Sequence, residues 1–270
     1  RKPDVGEFVR EAGSDLAVGE PLLSDGFRLA PRHLAALAAA GVASVPVRSQ
    51  VRVAVISTGS ELAAPGELLA PGQIYDANGP ALAAAVRTAD ALLVDEHRVV
   101  DDTAAFARAL DASCAAGAEI LLTSGGISAG NYEVVRELLE PLGAHVDPLA
   151  MQPGGPQATA IYKGVPMVCF PGNPVSAQLS FMLFIEPVLR EAAGLHARQP
   201  EPRTLAEPLT SVAGKRQFRR GVGLPGGRVA PVGGPSSHLV AAMAASDMLI
   251  DVPIDAVTLD IGTRVETWNL

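Results

Sequence analysis

Ile120-Leu121-Leu122-Thr123-Ser124-Gly125-Gly126-Ile127-Ser128-Ala129-Gly130-Asn131-Tyr132-Glu133 decides how the rest of this chain is read. An apolar run without helical spacing turns into Ser and Gly, and Val134, Leu138, Leu139 and Leu142 then share one helical face. The pattern predicts strand, glycine-rich loop, helix. Gly125 and Gly126 allow positive φ and close approach of a ligand, and a helix start turns free N–H groups toward it, so the first expectation is an anion, phosphate above all. Two alternatives stand beside it. Gly126-Ile127-Ser128-Ala129-Gly130 fits the G-x-S-x-G elbow of a serine hydrolase, with Asp147 and then His196 or His238 in the right chain order, although no HGGG-type segment precedes it. The other is a glycine-rich turn without a ligand.

Working outward, Val51 to Ile56 reads as a β-branched strand ending in Ser57-Thr58-Gly59-Ser60-Glu61, and Asn78 is expected to cap a helix to about Ala89. Leu92 to Val100 reads as the next strand, with Asp101 and Asp102 at its end and a helix from Thr103 to Ala116. Strands alternating with helices imply a mostly parallel sheet covered on both faces, with ligands at the carboxyl ends of the strands. Glu61, Asp101 and the 124–133 loop should therefore converge. Val146 to Met151 and Pro166 to Phe170 are further strand patterns. Each leads into Pro and Gly: Gln152-Pro153-Gly154-Gly155-Pro156 and Pro171-Gly172-Asn173-Pro174-Val175-Ser176-Ala177. Asn173 and Pro174 are placed as cap and first turn of a helix to about Ala193.

At the ends of the chain the pattern changes. Residues 1–50 read as an extended arm closing in a short helix, Pro31 to Ala40, with Gly41 beyond it. Arg198 to Pro208 reads as a linker, and strand-like runs at Arg219 to Leu224, Met248 to Val252 and Arg264 to Trp268 suggest a small β domain. The expected division is thus 1–46, an arm and short helix; 47–198, an α/β domain; and 199–270, the β domain. Of 270 residues 48% are hydrophobic and 4% aromatic, so the core must rest on Ala, Val and Leu. A net charge of −8 without a basic run argues against nucleic acid or an anionic membrane as partner. Cys114 and Cys169 carry no C-x-x-C spacing and read as small core residues. No signal peptide or spanning apolar run is apparent, which points to the cytoplasm.

In order along the chain, the STGSEL stretch at 57–62, Gly72-Gln73-Ile74-Tyr75-Asp76-Ala77-Asn78, the Thr123 to Gly130 loop, Pro153-Gly154 and the PGNPVSA stretch at 171–177 resemble the MoeA family of molybdopterin molybdenumtransferases, which includes the gephyrin E domain. The resemblance runs from about residue 10 to the C-terminus. It implies a three-layer α/β/α molybdopterin-binding domain with a C-terminal β-barrel-like domain. It also implies insertion of molybdate-derived molybdenum into adenylyl-molybdopterin with release of AMP, helped by Mg²⁺, in a homodimer that shares its site between subunits. The adenylyltransferase that makes adenylyl-molybdopterin is an expected partner. By the same resemblance the functional carboxylates are Asp15, Glu61, Asp101 and Glu133, with Glu61 and Asp101 as metal ligands. The pocket is expected from Thr58, Gly59, Ser124, Gly125, Gly126, Ser128, Gly130, Pro153, Gly154, Pro171, Gly172, Asn173, Pro174, Ser176 and Ser237.

Departures from the family pattern are specific. Ser60 stands where Asp is usual and Asn131 where an acid is usual. Lys-Pro-Gly-Lys-Pro is here Gln152-Pro153-Gly154-Gly155-Pro156. Each lost ammonium group removes a charge-assisted bond worth about 1.5–3 kcal/mol. Reduced activity, or a non-catalytic molybdopterin-binding or scaffold role, is the alternative that follows. Arg87, Arg98, Lys163 and Arg219 are the candidate replacements. The related molybdopterin adenylyltransferase, which shares the α/β domain, is a third reading, and the C-terminal β domain argues against it. The family also carries a domain inserted in its N-terminal half, of which residues 1–50 supply only the returning arm.

Overall fold

The computed structural model describes residues 1–127 and 134–270; Ser128, Gly130, Asn131 and Glu133 lie outside the described residues, as do the side chains of Arg136 and Leu142. The chain divides into two compact units, Arg1–Arg48 and Ser49–Leu270. The first holds one helix, α1 (Pro31–Ala39), where expected. Pro31 occupies its first turn, the His33 imidazole Nδ1 accepts the Ala30 N–H at 3.0 Å, and Gly41 follows with φ of 77°. The rest of this unit is turns and extended pieces.

The second unit begins as alternating strands and helices: β1 (Arg52–Thr58), the short β2 (Leu62–Ala63) and β3 (Ile74–Tyr75), α2 (Asn78–Thr88), β4 (Leu92–Val99), α3 (Thr103–Ala115), β5 (Ile120–Ser124) and α4 (Val134–Leu139). Next come β6 (His145–Pro148), β7 (Met151–Gln152), β8 (Pro156–Tyr162) and β9 (Val165–Phe170). One long helix closes the series as α5 (Pro174–Ser180), a π turn at Phe181–Ile185 and α6 (Glu186–Ala192). The sheet order is β4-β1-β5-β9-β8-β6. Its first four strands are parallel, and β8 and β6 add an antiparallel edge.

Why this sheet is covered on both faces is visible in single strands. Along β1, Ala54 and Ile56 pack with Phe106 and Leu110 of α3, whereas Val53 and Val55 pack with Leu82 and Val86 of α2. Leu121 and Leu122 of β5 divide the same way. Side chains alternate at period two, and a strand apolar at every position must be buried on both sides.

The C-terminal part is a closed barrel. Its strands are β10 (Glu201–Leu205), β11 (Leu209–Thr210), β12 (Arg216–Leu224), β13 (Arg228–Pro231), β14 (Met248–Val252), β15 (Thr258–Leu259) and β16 (Arg264–Asn269), with a short helix α7 (Val240–Ala244). The order β13-β10-β16-β14-β12 closes through a β12–β13 pairing, around Leu205, Val229, Ile250, Val252 and Val265. β11 and β15 pair separately.

Several expectations need correction. The strand pattern at Val146 to Met151 splits in two: β6 joins the α/β sheet, but β7 pairs with the first residues of β12 in the barrel sheet. β8 was not foreseen, because its alternation is hidden by Pro156 and small residues. The 198–208 linker contains β10, whose Pro202 and charges suit a strand with its inner face alone buried. Asn78 does not cap α2. Asp76 does, its Oδ1 accepting the N–H groups of Asn78 at 2.9 Å and Gly79 at 3.0 Å. Asn173 sits at the cap position of α5 without a side-chain capping bond.

Glycine is required where β5 ends. Gly125 has φ of 93°, and a Cβ there would stand 2.4 Å from the Thr58 carbonyl oxygen. Gly143 has φ of 81° but open space around it. Gly125→Ala should therefore cost about 3 kcal/mol and Gly143→Ala about 1 kcal/mol, since backbone strain is common to both and a backbone clash is added in the first. Thermal unfolding of the two variants checks this; equal losses of Tm would refute it.

Candidate functional site

Four neighbouring parallel strands end side by side, and their exits are hydrogen-bonded into one rim. The β1 exit is tied to the β4 exit by Gly59 N–H to the Val99 carbonyl at 3.1 Å. A reciprocal pair follows: Ser60 N–H donates to Asp101 Oδ2 at 2.8 Å, and Asp101 N–H donates to Ser60 Oγ at 2.9 Å. Thr58 Oγ1 reaches the Ser124 carbonyl of β5 at 3.4 Å, and Gly125 N–H donates to the Phe170 carbonyl of β9 at 3.1 Å. Gly172 packs on Gly125, where an added Cβ would be 3.5 Å from the Gly125 Cα.

Glu61 is exposed and Asp101 half-buried, so both expected carboxylates stand on adjacent exits. The Glu61 carboxylate folds back over Gly59, within 2.7 Å of where a Cβ would begin. Ser60, standing where the family pattern has Asp, locks the Asp101 loop rather than adding a charge. Asp101 does not cap α3. Asp102 takes that role with a 2.6 Å bond from Ala105 N–H, which leaves the Asp101 carboxylate to the rim.

The barrel contributes the far side. Val175 N–H, in the first turn of α5, donates to the Ser237 carbonyl at 3.2 Å. The Ser237 loop is in turn gripped by Arg220, whose guanidinium donates to the carbonyls of Gly234 and Ser236. Arg220 is 3% exposed, and its Nε lies buried without a partner. Burial, with the neighbouring Arg219, pulls its pKa below the ordinary value. The sequence reading had considered Arg219, which lies on the other face of β12 and donates to the Thr210 carbonyl at 2.9 Å. Strand alternation from the core residue Phe218 would have selected Arg220.

Gln152 and Gln217 join the two halves, the Gln217 amide N–H donating to Gln152 Oε1, and Gln157 similarly clasps the Gly154 carbonyl at 2.8 Å together with Ser180 Oγ. Pro153 and Gly154 are thus held where β7 enters the barrel sheet. Two other proposed replacements for the lost lysines are paired with carboxylates. Lys163 sits in the β8–β9 turn, at the opposite end of β9, 2.6 Å from Asp111; Arg98 lies 3.7 Å from Glu67. Asp15 is exposed in the Arg1–Arg48 unit. Among the described residues no cluster of three or more His, Cys, Asp or Glu is gathered, and no helix is long and apolar enough to cross a membrane.

The comparisons with known proteins agree with this geometry. Residues 54–191 match a family described as probable molybdopterin binding domain, and residues 202–270 match the MoeA C-terminal region (domain IV). Molybdopterin molybdenumtransferase 2 of Mycobacterium tuberculosis is 43% identical over 98% of this chain and 68% of its own length. The molybdopterin molybdenumtransferase of Haemophilus influenzae is 31% identical over 92% of this chain and 63% of its own. Among solved structures, the molybdopterin biosynthesis MoeA protein of Pyrococcus horikosii superposes with a TM-score of 0.77 at 31% identity, covering 92% of this chain and 61% of that one. The chain spans about two thirds of the length of these relatives. With both of its halves matched in order, and the sheet and barrel arranged as described, the chain belongs to the molybdopterin molybdenumtransferase (MoeA) family of molybdenum cofactor biosynthesis.

Proposed function

We propose that this chain inserts molybdate-derived molybdenum into adenylyl-molybdopterin and releases AMP. The observation that carries the reading is the rim itself: Glu61 and Asp101 on adjacent exits, beside exits of glycine at Gly125 and Gly172. In this reading residues 47–198 form the molybdopterin-binding domain, 199–270 the β domain and 1–46 the arm. In the backbone at 124–126 and 171–174, the N–H groups of Gly126, Gly172 and Asn173 are the ones proposed to meet the phosphate and dithiolene-bearing substrate.

Glu61 and Asp101 offer two oxygen donors from neighbouring loops, which fits Mg²⁺, an ion that takes one or two carboxylates and completes its shell with water and phosphate. Such an ion supplies neutralisation of the charge on the departing AMP. Ser60 fixes the Asp101 loop, and therefore the distance between the two exits. Arg220, buried and without a carboxylate partner in the hydrogen bonds described, provides the cation that the lysine-free 152–155 loop lacks, with Ser237 held beside it. Asp15 and Glu133 are proposed as further functional carboxylates on the family pattern alone. A cytoplasmic homodimer served by the adenylyltransferase is part of the same reading.

AMP release from adenylyl-molybdopterin, with molybdate and with or without Mg²⁺, tests it. Glu61→Gln and Asp101→Asn should each lower kcat/KM at least about a hundredfold, roughly 2.7 kcal/mol, with Tm nearly unchanged for Glu61→Gln because that side chain is exposed. Release that is independent of metal and of both carboxylates would sink the proposal.

A second reading, a non-catalytic molybdopterin binder, is favoured by one observation, the neutral Gln152 and Gly155. Titration calorimetry with molybdopterin separates the two. If Arg220 carries the anion, Arg220→Lys, which keeps the charge but loses the planar fork, should weaken binding about tenfold. A Gln152→Lys/Gly155→Lys variant should tighten binding about tenfold, and the natural chain should still release AMP. Tight binding with no AMP release from the natural chain would instead establish the second reading.

A further inference from the structure

We infer that Asn78 is a positioning residue for the substrate rim, holding the β9 exit against the β5 exit. The side chain is 6% exposed, and its Nδ2 donates to the Gly172 carbonyl at 2.7 Å across 94 positions of sequence. It is available for this because Asp76 has taken over the cap of α2. Gly172 is the residue that packs on Gly125, so the bond from Asn78 sets the separation of two glycine-bearing exits.

The orientation of the amide is informative. Oδ1 of Asn78 is buried with no donor. Turning the amide over would bring that oxygen against the Gly172 carbonyl, two acceptors face to face. The side chain therefore leaves one atom unpaired in order to hold the loop, which is not how a residue retained for internal packing alone is satisfied. In the Ser49–Leu270 unit this links the start of α2 to the rim, and Asn78 touches no reacting atom.

Hydrogen–deuterium exchange on the ligand-free full chain tests the positioning directly. Asn78→Ala, and Asn78→Asp, which keeps an acceptor of the same shape but has no N–H to donate, should both speed exchange at least tenfold at Gly125 and Val175, whose N–H groups are bonded to the Phe170 and Ser237 carbonyls. Amides of α2 around Leu82 to Val86 should stay within twofold, since the Asp76 cap remains. The ligand half of the test rests on the molybdopterin reading above. Both variants should raise the Kd for molybdopterin, and the KM for adenylyl-molybdopterin, at least tenfold, with kcat within threefold. Unchanged exchange at Gly125 and Val175, exchange accelerated evenly through the chain, or an Asn78→Asp variant equal to the natural chain would overturn the inference. If the natural chain binds no molybdopterin, the substrate reading fails by itself, while the exchange result still decides the role of Asn78.

Discussion

Everything at the rim depends on how closely β5 leaves the sheet beside β1. A side chain at Gly125 would begin 2.4 Å from the Thr58 carbonyl oxygen, and one at Gly172 would begin 3.5 Å from the Gly125 Cα. Three strand exits are therefore packed backbone to backbone, closer than any residue with a Cβ allows at the first position. Because parallel strands all end in the same direction, this approach also brings the Ser60–Asp101 pair of β1 and β4 to the same edge. The rim is a consequence of sheet topology, and glycine at 125 and 172 is what lets its exits approach so closely.

The barrel is coupled to that edge by more than a linker. β7 leaves the α/β chain to pair with Arg216 and Gln217 of β12, while the second half of β12 pairs with β13. A shared apolar cluster, Met151, Val175, Leu179, Phe218, Met243 and Leu249, fills the seam. On the barrel face nearby, Arg216 donates to Asp251 through Nε and Nη2, and the Trp268 indole donates to the same carboxylate at 3.2 Å. The 153–155 loop and the Ser237 loop are consequently fixed from both sides. Buried acceptors left without donors, such as Gln217 Oε1 and Asn78 Oδ1, each cost about 1–3 kcal/mol, and the apolar seam is what offsets them.

Sequence made the α/β half legible because its strands are apolar throughout and its exits carry Gly, Pro and Ser in clusters. Val53 to Ile56 and Leu121-Leu122 could belong only to a sheet buried on both faces. The barrel half was less legible for physical reasons. β10 carries Pro202 and Arg203 on a strand with one buried face, so it reads as a linker; β8 begins at a proline; and β7, two residues long, takes its identity from a partner 65 positions away. At the site, Glu61, Asp101 and the glycines followed from position alone. Asp76, Asn78 and Arg220 did not. Whether Asp76 or Asn78 caps α2 depends on which side chain is claimed by the distant Gly172, and whether Arg219 or Arg220 turns inward depends on the register of β12.

The charge balance of the rim gives the last constraint. Two carboxylates about 4 Å from a phosphate would each repel it by roughly 4 kcal/mol at an effective dielectric of 20. The chain as a whole carries −8; Lys163 is engaged at the opposite end of β9, and Arg98, beside the β4 exit, is paired with Glu67. Binding of an anionic substrate there requires positive charge from another source. Arg220 is one such source, and its burial strengthens its field by excluding water. The N–H groups of Gly126, Gly172 and Asn173 are a second, weaker source in the proposed reading. A divalent cation held by Glu61 and Asp101 would be the third in the same reading, and it alone would turn the carboxylates from repulsive into attractive neighbours. With Gln152 and Gly155 in place of the family lysines, the proposed reading puts the weight of anion binding on Arg220 and the metal, so that substrate affinity and metal occupancy should be coupled.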